Sequence, residues 1–407
     1  MTISSPLGQV APSVSRLLSA PGASLVEHQD WFGGLREDIG PELIATLRDA
    51  GLTGRGGAGF PTARKLEAVT GARSVVVANG AEGEPLSHKD AELLELAPHL
   101  VLDGLWAVAG AVAAERLYLY APAWSVAGVQ HALDERRSAG WPGADVHVVA
   151  APDAFVAGEE SAVISRLEGG PARPRDRVLI AAASGVRGRP TVVNNVETLA
   201  HVAVIARYGA RWFRSAGSAD DPGTRLVSLS GAVRRPGVFE VGTGIALTEL
   251  IGRYGQVDPQ RVRALLIGGY HGCWVGRRTL AQGDLSRASL GRRGATPGAG
   301  VVHAVGTDEC GLARTADIVA YLATQSAGQC GPCVNGLPRL AGLLDDLAYG
   351  RGRAGLVERI RQTVGLVDGR GSCRHPDGTA RLVRSALDVF AGDIALHHAG
   401  RCEATSR

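Results

Sequence analysis

Short apolar runs alternate with longer stretches of helical period along the first half of the chain. The runs rich in β-branched residues lie at 74–78, 117–120 and 146–150, and glycine-rich joints connect them to the helical stretches. This alternation is typical of an α/β layer. We therefore predict an α/β domain over residues 1–215.

The pattern changes near residue 216. Two apolar runs, at 226–230 and 238–241, flank the turn Pro236-Gly237, and residues 245–254 have a helical period. These features predict a small α+β domain over residues 216–305.

From residue 306 to residue 407 the apolar positions have helical spacing, which predicts a C-terminal helical domain. The longest apolar stretch of the chain, at 104–114, falls well short of the ~20 residues that span a bilayer. We expect it to form a buried helix, and we expect no transmembrane segment.

The composition narrows the class of protein. The 407 residues include 43 Lys and Arg against 40 Asp and Glu, and they contain no polybasic tract, so we expect no nucleic-acid partner. Glycine makes up 56 of the residues, about twice the usual share of about 7%. The six cysteines are too few and too unevenly spaced for a disulfide framework. With no secretory signal at the N-terminus, we expect reduced thiols in the cytoplasm.

A glycine-dense loop, Gly54-Arg55-Gly56-Gly57-Ala58-Gly59-Phe60-Pro61-Thr62, leads through Lys65 into a helical stretch. Glycines let backbone N–H groups surround an anion, and a following helix N-terminus and lysine add positive potential. The loop is a candidate phosphate or cofactor cradle. A flexible loop is the alternative, because loose glycine motifs are weak signals.

Three polar segments could complete such a site. The segment 79–85 contains Asn79, Glu82 and Glu84 and follows an apolar run, so its side chains should lie at the end of a strand, where open α/β sheets bind ligands. The segment 158–161 opens a helix with two acids, and 191–198 contains two adjacent amides. A solvated turn, interactions with the helix dipole and helix capping are the alternative explanations.

Cys330 and Cys333 form a Cys-x-x-Cys pair, and Cys373 follows after 39 intervening residues. Such thiolates could hold most of an iron–sulfur cluster. A redox dithiol and a zinc site remain alternatives, although no thioredoxin-like pattern surrounds the pair and zinc would require a fourth ligand.

Six ordered motifs together resemble the NADH-binding flavoprotein subunit of bacterial respiratory complex I, a family also found in NAD-reducing hydrogenases and NAD-dependent formate dehydrogenases. The motifs are GRGGAGFPT, NGAEGEP, AGEESAV, PTVVNNVETLA, GAVRRPGVFEVG and GQCGPC, and they extend over nearly the whole chain. The resemblance implies a Rossmann-like FMN domain, a soluble-ligand-binding β-grasp domain and a helical domain with a 4Fe-4S cluster.

The resemblance also implies roles for individual residues. The positions that match the FMN site of the family are Gly54, Gly56, Gly57, Lys65, Asn79, Glu82, Asn194, Asn195 and Thr198. The positions that match the nicotinamide-nucleotide side are Phe60, Glu84, Gly158, Glu159 and Glu160, with Glu84 as the candidate catalytic residue. The implied reaction takes a hydride from NADH or NADPH to FMN and releases single electrons to a ferredoxin-like or other iron–sulfur protein, or within a membrane-associated redox complex.

Three departures from the family pattern bear on this function. Ala327 stands where the family has a ligand cysteine, so Cys330, Cys333 and Cys373 remain for a three-iron cluster, a four-iron cluster completed by His375 or Cys310, or no cluster. Ala68 and Ile180 stand where the family has aromatic rings that clamp the nucleotide. Ala81 replaces an aspartate on the flavin side.

These departures leave a second hypothesis, a non-catalytic subunit that keeps the fold as a docking or assembly surface. Other candidate ligands have simpler explanations. We expect Cys273 to be buried as a small apolar residue and Cys310 to serve packing rather than ligation. We expect Cys402 to be an incidental thiol, and the pair His397-His398 to be exposed.

Overall fold

The structure is a computed structural model that describes residues 15–69, 73–141, 145–176, 180–351 and 355–405. Residues 1–14, which carry part of the expectation about a secretory signal, lie outside the described residues. The described strands are β1 (Ser74–Asn79), β2 (Ala114–Pro122), β3 (Val146–Ala151), β4 (Thr191–Asn195), β5 (Thr224–Gly231), β6 (Gly237–Gly242), β7 (Val262–Ile267), β8 (Cys273–Gly276) and β9 (Val301–Gly306).

The described helices follow the same chain order. They are α1 (Leu25–Phe32), α2 (Glu42–Ala50), α3 (Thr62–Glu67), α4 (Lys89–Leu96), α5 (Pro98–Ala111), α6 (Val126–Ser138), α7 (Glu160–Leu167), α8 (Val196–Phe213), α9 (Leu247–Glu249), α10 (Arg277–Gln282), α11 (Arg287–Gly291), α12 (Gly311–Thr324), α13 (Leu337–Ala348), α14 (Leu356–Val367), α15 (His375–Val389) and α16 (Ala391–His398). None of these described helices is by itself long and apolar enough to cross a membrane, and only the pair α4 and α5, bent by 96°, passes that test together.

A parallel sheet with the strand order β3-β2-β1-β4 forms the first layer. Its central strand β1 is apolar on both faces. Val76 and Ala78 belong to one buried cluster, and Val75 and Val77 belong to another, as the two-residue period of a strand requires. The chain order reverses between β1 and β4, and such a switch point is where open α/β sheets bind ligands.

Helices α5 and α8 cover one face of this sheet. Asn195 ends β4 and also caps α8, because its side-chain oxygen accepts a hydrogen bond from the backbone N–H of Glu197. Gly104 permits the close contact between the two helices, since a Cβ there would lie 1.9 Å from the carbonyl oxygen of Leu199. The predicted buried helix at 104–114 is confirmed in α5, although α5 ends at Ala111.

The second sheet is mixed, with the order β6-β5-β9-β7-β8. The predicted strands at 226–230 and 238–241 lie within β5 and β6. Strands β4, β7, β8 and β9 were not predicted, because short apolar runs do not separate a strand from a buried helix by period alone. The predicted helix at 245–254 begins as α9 and continues as a wide turn to Tyr254.

Helices α12 to α16 pack around a separate apolar cluster that includes Leu322, Leu340 and Leu382. The predicted helical periods are confirmed there. Cys333 lies in the wide turn Pro332–Gly336 between α12 and α13. The mixed α/β class with a parallel sheet is thus observed, while the borders at 215 and 305 stay predictions.

Candidate active site

A cavity of about 400 Å³ opens at the carboxyl ends of β1 and β4, and this volume lies within the range of about 300–1,000 Å³ of ligand pockets. The predicted site residues that line it are Gly56, Gly57, Asn79, Glu82, Glu84, Gly158 and Asn195. The other predicted site residues do not line it: Gly54, Phe60, Lys65, Glu159, Glu160, Asn194 and Thr198. The switch point therefore brings together three segments that are distant in sequence.

Two hydrogen bonds anchor the start of the glycine-rich loop. The backbone N–H of Gly54 donates to the carbonyl oxygen of Phe60 at 2.9 Å, and the backbone N–H of Arg55 donates to the Thr198 hydroxyl at 2.8 Å. Gly57 has a φ of +125°, and nothing lies within 4 Å of a Cβ added there. The loop therefore presents bare backbone to the cavity, as an anion cradle requires.

The amides at the ends of β1 and β4 are fixed by hydrogen bonds. Asn79 Nδ2 donates to the carbonyl oxygen of Gly158 at 2.9 Å, and Asn195 Nδ2 donates to Asp90 Oδ2 at 2.6 Å. Asn194 differs, because its Nδ2 is buried without a hydrogen-bond partner among the described residues. A buried amide donor without a partner is costly, so this atom fits a site completed by a bound polar group.

The two acids of the segment 79–85 have different surroundings. The Glu82 carboxylate accepts hydrogen bonds from the backbone N–H groups of Asp90 and Ala91, in the first turn of α4. Glu84 Oε2 accepts from the backbone N–H of Tyr270 at 2.7 Å, which joins the first layer to the second sheet. Burial raises the pKa of the Glu84 carboxyl to about 7, against the opposing effect of its backbone donors.

A buried ion-pair cluster supports the wall of the cavity, and of its residues only Glu197 lies in one of the six motifs. Lys89 Nζ lies 2.6 Å from Asp90 Oδ1 and 3.0 Å from Glu197 Oε2, and the Lys89 side chain is 1% exposed. Burial lowers the pKa of Lys89, but the two carboxylates outweigh it and raise the pKa overall. Glu197 Oε1 also accepts from the backbone N–H of Leu226 in β5 at 2.8 Å.

Of the residues predicted for the nucleotide side, Glu84 and Gly158 line the cavity, whereas Phe60, Glu159 and Glu160 do not. The Phe60 ring is 54% exposed. The Glu159 carboxylate caps α7 by accepting from the backbone N–H groups of Ser161 and Ala162, in line with the alternative explanation for the paired acids. Glu160 Oε1 accepts from Lys65 Nζ at 2.9 Å, so this pair links the two predicted halves of the site.

A second cavity of about 320 Å³ adjoins the first and shares Glu82 and Glu84 with it. The exposed indole ring of Trp124 lines this second cavity. Of the two positions without the family's aromatic ring, Ile180 is 64% exposed and Ala68 is also exposed. Trp124 was missed because nothing in its surrounding sequence marks it as part of a site.

Three thiols lie close together at the start of the C-terminal helices. Burial raises the pKa of the Cys333 thiol to about 12, and the neighbouring Cys330 and Cys373 contribute to that rise. Because thiolates are the ligands of iron–sulfur clusters, and a bound metal would remove the protons that this burial retains, the donor set fits such a cluster with three cysteines. Ala327 offers no ligand atom.

The sequence also offered His375 and Cys310 as candidates for the fourth ligand of the cluster. His375 is buried with both ring nitrogens engaged, Nδ1 at 3.1 Å from His271 Nε2 and Nε2 at 2.8 Å from the carbonyl oxygen of Leu322. Cys310 lies beside His397 and Cys402. His375 would have to give up one of its hydrogen bonds to bind iron, so a fourth cluster ligand from His375 or Cys310 stays a prediction that these contacts do not support.

The cavity and the three cysteines are neighbours. Arg374, which directly follows Cys373, lines the cavity together with His271 and Arg381. The backbone N–H of Phe155 donates to Gln325 Oε1 at 3.0 Å, which ties the loop before α7 to the end of α12. The glycine run at 268–272 also lines the cavity, and its position after an apolar run is the kind of signal that identified the segment 79–85.

The structure also bears on the simpler explanations given above for the other cysteines and histidines. Cys273 is buried as expected, at 4% exposure. His398 is exposed, but His397 is 6% exposed, so the expectation of an exposed pair is wrong for His397. The thiol of Cys402, expected to be incidental, lies beside Cys310 and His397.

Comparison with known proteins gives consistent results. Residues 47–204 match the Nuo51 FMN-binding domain, and residues 313–397 match the NADH-ubiquinone oxidoreductase-F iron-sulfur binding region. The chain is 32% identical over 414 residues to the F 2 subunit of NADH-quinone oxidoreductase from Rhizobium meliloti (strain 1021), and the match covers 95% of this chain and 97% of that protein. It is 31% identical over 372 residues to the F subunit of NADH-quinone oxidoreductase from Escherichia coli (strain K12), and the match covers 86% and 82% of the two chains.

A solved structure is similar over most of the chain. The NAD+-reducing [NiFe]-hydrogenase in its H2-reduced state superimposes with a TM-score of 0.80 at 29% sequence identity. The match covers 88% of this chain and 62% of the hydrogenase chain, so this chain spans less than two thirds of that protein. The matches over 97% and 82% of the two curated relatives, the two domain matches and the shared fold lead to one assignment: the chain belongs to the family of NADH-quinone oxidoreductase F subunits.

Proposed function

We propose that this protein is an FMN-dependent oxidoreductase that takes electrons from a nicotinamide nucleotide and passes them to an iron–sulfur centre. The observation that carries the proposal is the cavity at the β1/β4 switch point. Residues expected to hold FMN form one wall of this cavity, and Arg374, next to Cys373, forms another. The flavin and cluster chemistries would therefore operate in one continuous site.

Different residues of the chain would bind different parts of FMN. The backbone of Gly56 and Gly57 would face the phosphate, and Asn194 Nδ2 would donate the hydrogen bond that it lacks among the described residues. Lys89, which lines the cavity, would keep a fixed positive charge there. Bound FMN would supply the conversion of a two-electron donor into one-electron steps.

Glu84 is the residue best suited to hold or release a proton beside this cavity. Its pKa of about 7 places both protonation states within reach near neutral pH. On the nucleotide side, the Phe60 ring would stack on a base, and Glu159 and Glu160 would accept hydrogen bonds from ribose hydroxyls. Without rings at positions 68 and 180, we expect weaker nucleotide binding than a complete aromatic clamp would give. NADH is the expected donor, and NADPH is the alternative.

An anaerobic absorption spectrum of the purified chain tests the proposal, with iron and acid-labile sulfide measured on the same sample. We expect flavin bands that bleach with NADH or NADPH, and iron with matching sulfide. A protein that takes up no FMN would refute the proposal. Ala327→Cys should raise the iron content per chain toward that of a four-iron cluster, with Ala323→Cys, a substitution in α12, as the matched control.

We further propose that the electron acceptor is an iron–sulfur protein, either ferredoxin-like or part of a larger redox complex, in the cytoplasm. The relatives are named as subunits, which supports a complex. We assign the second sheet to the β-grasp class, because its strands lie in the order second, first, fifth, third and fourth. Ala327 favours one other function, a non-catalytic docking subunit, and this function predicts a chain that binds neither FMN nor iron.

A further inference from the structure

Three metal-binding side chains meet away from the cavity and away from the Cys-x-x-Cys pair. The ligand atoms of Cys310, His397 and Cys402 all lie within 4.8 Å of one another. Cys310 is the residue before α12, His397 lies in the last turn of α16, and Cys402 lies in the tail beyond α16. The tail of the chain thus returns to the start of α12.

The imidazole of His397 is oriented as a metal ligand. Its Nδ1 lies 3.2 Å from the carbonyl oxygen of Leu347, and its Nε2 lies 3.6 Å from Cys310 Sγ. A carbonyl oxygen only accepts hydrogen bonds, so Nδ1 carries the proton and the lone pair of Nε2 faces the sulfur. Metal-binding histidines are commonly fixed in this way by a backbone carbonyl on the other ring nitrogen.

The two thiols and the imidazole form one group of three possible ligand atoms. The Cys310 sulfur also accepts a hydrogen bond from the backbone N–H of Ala313. The nearby Arg263 guanidinium pairs with Asp393 and Glu403. A divalent cation would balance two thiolates and release their protons.

We propose that Cys310, His397 and Cys402 bind a Zn²⁺ ion that fastens the C-terminal tail to α12 and α16. Two thiolates and one imidazole select zinc over the hard cations magnesium and calcium, and a water molecule would take the fourth tetrahedral position. The site is separate from the cluster cysteines, because α12 lies between Cys310 and Cys330.

Metal analysis of the full chain, purified without oxygen and freed of loosely bound metal, tests the proposal. We expect about one Zn²⁺ per chain. The substitution Cys402→Ser should lower the zinc content about tenfold or more, whereas Cys273→Ser should leave it unchanged. The double variant Cys330→Ser/Cys333→Ser should also keep its zinc, which separates this site from zinc held by the cluster cysteines.

Two further measurements keep the test decisive if Cys402→Ser folds poorly. Cys402→His offers another nitrogen ligand, so it should restore zinc binding, which a packing role would not predict. Co²⁺ added to the zinc-free wild-type chain should give the absorption of tetrahedral cobalt thiolate. The proposal is overturned by a wild-type chain without zinc, by zinc that persists in Cys310→Ser and Cys402→Ser, or by a Cys310–Cys402 disulfide in the anaerobic protein.

Discussion

Replacing Glu84 by glutamine should change how stability depends on pH. The fold raises the pKa of this carboxyl from its ordinary value of 4.5 to about 7, chiefly by burial. The folded state therefore holds a proton that the unfolded state has lost between these pH values, so stability falls as pH rises from 4.5 to 7. At 1.36 kcal/mol for each pKa step of one, the loss is about 3 kcal/mol, or about 2 kcal/mol after allowing for partial solvent access to the side chain.

Glutamine stays neutral and can still accept from the Tyr270 N–H, so Glu84→Gln should escape this loss. Its midpoint of thermal unfolding should match that of the wild type near pH 4.5 and exceed it at pH 8, by about 2–4 °C for each kcal/mol. The exposed Glu95→Gln serves as the control and should follow the wild type throughout. Parallel pH profiles for wild type and Glu84→Gln would refute the reasoning, as would a lower midpoint for the variant at pH 8.

Three other substitutions probe the same region. Gly83→Ala should abolish flavin uptake, because the new Cβ would lie 2.5 Å from the Ala154 carbonyl oxygen, while Gly128→Ala, with open space around it in α6, should be neutral or stabilising by about 0.5–1 kcal/mol. Normal FMN content in Gly83→Ala would contradict this. Lys89→Met should cost about 3–5 kcal/mol in urea unfolding, since it leaves Asp90 and Glu197 buried without their cation, and the exposed Arg137→Met should cost little. Asn194→Leu should weaken FMN binding about tenfold in a fluorescence titration, and unchanged affinity would show that the Nδ2 donor does not face the cofactor.

The sequence could predict the parts of the site whose chemistry is local. The glycine loop, the polar end of β1 and the Cys-x-x-Cys pair each combine a residue pattern with a position next to a predicted element. The ion-pair cluster of Lys89, Asp90 and Glu197 could not be found in this way, because Glu197 is far from the other two in sequence and only the parallel pairing of β1 with β4 brings their segments together. The group of Cys310, His397 and Cys402 was also missed, because Cys310 is far from the other two residues in sequence and only the folded chain brings them together.

The ion pair between Lys89 and Glu197 has a consequence for how the protein is made. During synthesis, Lys89 and Asp90 leave the ribosome long before Glu197, and the Leu226 N–H that binds Glu197 follows later still. Bringing residues so distant in sequence together costs chain entropy. The contacts that offset this cost form only when the last partner has been translated. The nascent α4 therefore keeps its charged first turn in water until β4 and β5 have been translated. Because the lining of the cofactor cavity extends to Arg381, the cavity can close around a flavin only when nearly the whole chain has emerged.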